Sequence, residues 1–120
     1  MKLGANLYKE TNDGLTPLFA ACEGNITVVK YLMELGLNIN EINNYGETPL
    51  FTACNKGDIT TVEYIVEHGA CIDKEDPDGV TPLINARKKR HITIVKYLVD
   101  HRANINKEDQ LWLHSIILYM

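Results

Sequence analysis

Three cysteines, four histidines and one dense acidic run are the side chains that could carry chemistry here. Cys22, Cys54 and Cys71 are odd in number and nowhere spaced as C-x-x-C, so neither a disulfide framework nor a zinc site is expected. Cys22 and Cys54 each follow an alanine at matching points of a repeated heptapeptide, where the expected role is that of a small buried hydrophobe. His68 and His101 recur at one register and read as surface residues, and His114 falls in an irregular tail. The run Asp73-Lys74-Glu75-Asp76-Pro77-Asp78 offers oxygens to a metal without the spacing of a calcium loop. A solvated hairpin tip is the simpler reading. The sequence contains no phosphate-binding glycine loop, H-E-x-x-H or nucleophile elbow. The expectation is a chain with no enzymatic activity, cofactor or metal.

Composition narrows the partners. Sixteen acidic against twelve basic residues give a net charge of −4, which argues against a nucleic-acid or membrane partner. At 120 residues, with 45% hydrophobic and 23% charged, the chain suits one globular domain. The opening MKLGANLYKE lacks a secretory apolar core, and an intracellular, cytoplasmic setting is expected.

The elements that position these residues come from a repeat. TPLFAAC (16–22), TPLFTAC (48–54) and TPLINAR (81–87) stand 32 and 33 residues apart. Copies 11–42, 43–75 and 76–108 share the same ordered signals, after a partial copy at 1–10. Gly14, Gly46 and Gly79 supply tight turns, then Thr caps a short helix with Pro in its first turn. Gly24 and Gly57 stop that helix, with Arg90 in the third copy. Asn25 and Asp58 can cap a second helix, and His91 does so less well. Its apolar stripe is Ile26, Val29, Leu32 and Met33, then Ile59, Val62, Ile65 and Val66, then Ile92, Val95, Leu98 and Val99. Gly36 and Gly69 occupy the left-handed closing slot, which Arg102 fills in the third copy. Neither helix can bury its stripe alone, so the copies must stack.

These motifs (D-G-x-T-P-L, the small pair after it, the mid-repeat glycine and I-V-x-x-L) resemble the ankyrin repeat over residues 1–109. The resemblance implies an all-α solenoid of stacked helix-turn-helix units with β-hairpin-like loops. It also implies a non-catalytic protein–protein interaction module. Partner contacts are implied at the hairpin tips, namely Asn12, Asp13, Leu15, Asn44, Tyr45, Glu47, Pro77, Asp78 and Val80. On the inner helices the matching positions are Glu23, Asn55, Lys56, Lys88 and Lys89. Tyr45 is the best anchor, a large ring with a polar tip.

Three departures stand out. The first copy is one residue short, and alignment of Ala21 and Cys22 places the loss beside Glu23, clear of the core. The third carries Arg87-Lys88-Lys89-Arg90-His91, which reads as a solvated helix end, a contact for an acidic partner or an import signal. After 109 the fourth turn is replaced by QLWLHSIILYM, with Trp112 in the glycine slot and Ser115 in the proline slot. Residues 110–120 read either as an apolar cap or as a degenerate tail. If residues 110–116 were encoded CAA TTA TGG TTA CAC TCC ATT, the second frame would read N-Y-G-Y-T-P-L in echo of NYGETPL at 44–50, and a frameshift or truncation is expected on that reading. The alternative to a binding module is then a structural fragment of a longer array, without independent binding and self-associating through uncapped ends.

Overall fold

The computed structural model describes residues 16–118, with side chains described through Ile116. The partial copy 1–10 and the tip residues Asn12, Asp13 and Leu15 lie outside the described residues. In chain order the helices are α1 (Pro17–Ala21), α2 (Ile26–Glu34), α3 (Pro49–Lys56), α4 (Ile59–Glu67), α5 (Pro82–Lys88), α6 (Ile92–Asp100) and α7 (Lys107–Leu118). The described residues contain no strand. Each inner helix (α1, α3, α5) packs against the outer helix that follows it, and the pairs stack inner on inner and outer on outer. The result is an elongated body of 53 × 26 × 20 Å.

Local chemistry accounts for most of the boundaries. The Thr48 and Thr81 hydroxyls accept from the backbone N–H of Phe51 (3.3 Å) and Ile84 (3.1 Å), capping α3 and α5 as the sequence predicts. Thr16 differs. Its hydroxyl donates to Glu41 at 2.6 Å and caps nothing, fastening the first inner helix to the loop after α2. Asn25 and Asp58 accept from Val28 and Thr61 N–H, whereas His91 makes no side-chain cap and turns its ring to the Asn55 carbonyl. The buried Thr61 hydroxyl is satisfied by Asp58 at 2.6 Å, so a polar residue is tolerated in the core stripe.

The core runs continuously through Leu18, Leu50 and Leu83 of the inner helices and Val29, Leu32, Val62, Ile65, Val95 and Leu98 of the outer ones. Each such side chain stabilises the stack by roughly 1.5–3 kcal/mol. Leu18, Ala21 and Cys22 are buried like Leu50, Ala53 and Cys54, so the missing residue of the first copy lies after Cys22. Helix α1 is five residues long against eight in α3, and Gly24 absorbs the shortened turn at φ +136°. Ile92 departs from the expected stripe and is exposed, while Ile94 is buried in its place.

Arg90 and Arg102 adopt φ of +62° and +71°, the only non-glycine residues with positive φ among those described. A non-glycine residue in this left-handed region costs about 1 kcal/mol, and that cost applies at both positions. Arg102→Gly is expected to stabilise the chain by about 0.5–1 kcal/mol, the relief of left-handed strain less the added entropy of glycine in the unfolded chain. A rise in the urea midpoint checks it; an unchanged or lower midpoint would rule the strain out.

Residues 107–118 form one helix, which begins inside the third copy placed at 76–108 and runs on into the tail placed at 110–120. Asn106 caps α7 by accepting from Asp109 N–H at 2.7 Å. Trp112 and Leu113 pack against the core. Asp109, 1% exposed, meets the Arg87 guanidinium in a close ion pair, and Glu108 adds a second contact at 3.8 Å. Arg87 stands in the slot that Cys22 and Cys54 fill, so the odd residue of the third copy faces α7.

Candidate functional site

The hairpin tips are set by one carboxylate or amide each. Asn43 Oδ1 accepts from Tyr45 N–H (2.9 Å) and Glu47 N–H (3.0 Å). Asp76 Oδ1 does the same for Asp78 and Val80, both at 2.9 Å. The acidic run is thus a structural turn in which Asp76 feeds its own loop. Asp73 accepts from Asn104 N–H at 2.9 Å, matching the Asn40 acceptor of Cys71 N–H at 2.7 Å in the preceding copy. Successive loops are therefore tied by a repeated side-chain bond.

Four of the positions implied by the resemblance converge. Glu23, Tyr45, Glu47 and Asn55 line one cleft of about 220 Å³ between the first and second copies, floored by Phe51 and Thr52. The Tyr45 side chain stands 60% exposed at its rim. Glu47 is half-buried and takes a long contact from the Asn43 amide (3.4 Å). Asn55 also reaches the third copy, since its Oδ1 accepts from Asn85 at 3.2 Å. Sequence reasoning missed Asn43 as a member of this site. Its signal was available, because it holds in the second copy the register that Asp76 holds in the third.

The remaining positions are placed apart. Pro77 lies in a separate groove with Ile42, Lys74 and Glu75 and packs on Gly46, where an added Cβ would approach its ring to 2.6 Å. Asp78 is exposed and Val80 half-buried, both serving the turn. Asn44, Lys56, Lys88 and Lys89 are exposed, and their side chains make no hydrogen bond or ion pair with another described residue. His68 and His101 are structural: each stacks on the tyrosine four residues earlier (4.0 and 3.9 Å between centroids) and meets its carbonyl.

Burial pushes the Cys22 thiol up to about 12, with the Glu41 and Asp58 charges adding to it, and raises Cys54 as well. Neither is an activated nucleophile. Among the described residues no helix is long and apolar enough to cross a membrane.

A stack of helix pairs with short tips and a shallow polar cleft defines a helical repeat scaffold. The chain belongs to the ankyrin repeat family: the model for ankyrin repeats in three copies matches residues 2–76 and, overlapping, 37–109. Such repeats generally mediate protein–protein contacts. A comparison with curated proteins returned no match.

Proposed function

We propose that this chain is a non-catalytic adaptor that docks a protein partner on its hairpin tips and concave inner-helix ends, centred on the Glu23–Tyr45–Glu47–Asn55 cleft. The observation that carries the reading is Tyr45. A large ring stands out over a polar cleft while its backbone is pinned by Asn43, so little entropy is lost on contact. The second reading, a structural piece of a longer array, draws on Asp109, which keeps the register of Asn43 and Asp76 where a fourth turn would start.

Selection of a random peptide display library against the full chain separates them. On the adaptor reading, selected peptides lose about thirtyfold in affinity with Tyr45→Ala, the size of a 2 kcal/mol anchor. On the other reading no selected peptide responds to Tyr45, and the chain sediments as oligomers.

A further inference from the structure

The inner-helix ends form a row along the stack. Glu23 closes the first, Asn55 and Lys56 the second, and Lys88, Lys89 and Arg90 the third, all exposed. The row is continuous. Glu23 and Asn55 share the Tyr45 cleft, and Asn55 is joined to the third copy through Asn85 and the His91 ring. Its charge changes sign along its length. Two carboxylates, Glu23 and Glu47, flank the cleft at one end, and three cations stand at the other. None of these five charges forms an ion pair with another described residue. The α5 helix end favours cations and explains Lys88 in part. It does not explain Glu23, which stands at the equivalent end of α1, where an anion is disfavoured.

We propose that this row is a charge-graded track for an extended segment of a partner protein, a reading that rests on the docking function above. A lysine or arginine of the segment sits against Tyr45 between Glu23 and Glu47, where the ring face and the two carboxylates both favour a cation. Aspartates or glutamates of the segment lie at Lys88, Lys89 and Arg90. Neighbouring helices pack about 8–10 Å apart, so two steps of the stack span about 20 Å. An extended chain covers that in about six residues at roughly 3.3 Å each. The recognised pattern is therefore one basic residue separated by about six positions from an acidic pair or triplet.

The same library, selected against the full chain, provides the test. The expected result is enrichment of peptides with that charge split. Their affinity falls about tenfold with Glu23→Lys and about tenfold with Lys88→Glu/Lys89→Glu, since each reversal converts an exposed attraction into a repulsion. Raising NaCl from about 50 mM to about 500 mM weakens them as well, because exposed pairs are screened. All four residues involved are on the surface, and thermal melts of the variants verify that the fold is kept. Peptides that lose affinity with Tyr45→Ala yet show no charge split, or ignore both reversals, overturn the graded track and leave the docking cleft standing. Peptides indifferent to Tyr45 and to both reversals, or no enrichment at all, overturn both.

Discussion

Asp109→Ala is expected to destabilise the chain by about 3 kcal/mol. Asp109 is 1% exposed and the Arg87 side chain 19%, so truncating the aspartate strands a guanidinium in a mostly dry seam. The pair is held by charge more than by aligned hydrogen bonds, since neither Asp109 oxygen nor Arg87 Nε has a hydrogen-bond partner. Desolvation is therefore incompletely offset, and replacing both residues with apolar ones should cost little or even stabilise. The check is a double-mutant cycle by urea unfolding with Asp109→Ala, Arg87→Leu and the Arg87→Leu/Asp109→Ala pair. A large single loss with a near-neutral double variant is the expected pattern. Losses below about 1 kcal/mol for both single variants would mean that α7 is not fastened through this pair.

Alkaline pH should unfold the chain through its two inner-helix thiols. In the unfolded chain Cys22 and Cys54 ionise from about pH 9, whereas burial holds both protonated in the folded chain, Cys22 to about 12. The unfolded state thus sheds protons first, and the folded state loses ground as pH rises. This contribution is fully present below pH 9 and declines above it until the folded thiols ionise. Within that window each thiol removes about 1.4 kcal/mol per pH unit. Two thiols make about 3 kcal/mol at pH 10, a large share of what a small domain has. Urea unfolding in reductant at pH 8, 9 and 10 should show that loss in the wild type and a much flatter profile in Cys22→Ala/Cys54→Ala. Cys71, which is exposed, is left unchanged in both proteins. Parallel profiles for the two proteins would refute the assignment.

Legibility followed the range of the forces involved. The helix starts at Pro17, Pro49 and Pro82 and the caps at Asn25 and Asp58 are local devices, settled within four residues, and the sequence announced them. Contacts across copies were harder. Thr16 looked like a cap because its neighbours do, but Glu41, 25 positions away, takes its hydroxyl. Arg87 read as a surface cation because its partner, Asp109, lies in the next helix, α7, beyond the reach of any local pattern. Ile92 borders an open cleft with Trp112 and Ile116 of α7, a relation that periodicity in α6 alone cannot encode. Of the implied contact residues, the four in the cleft needed the stack itself to bring them together.

The cleft straddles the join between the first and second copies instead of lying within either. In a linear array each unit is stabilised mainly by its nearest neighbour, and melting starts where a join is weakest. The first copy has the shortest inner helix, five residues, and no side-chain cap. A ligand gripping Glu23 on one side and Tyr45 on the other would act as a clasp across that join. By mass action it would raise the melting point of the first copy ahead of the rest. Occupancy and the folding of the first copy would then be one equilibrium, and a chain whose first copy had frayed would be unable to bind until it re-zipped.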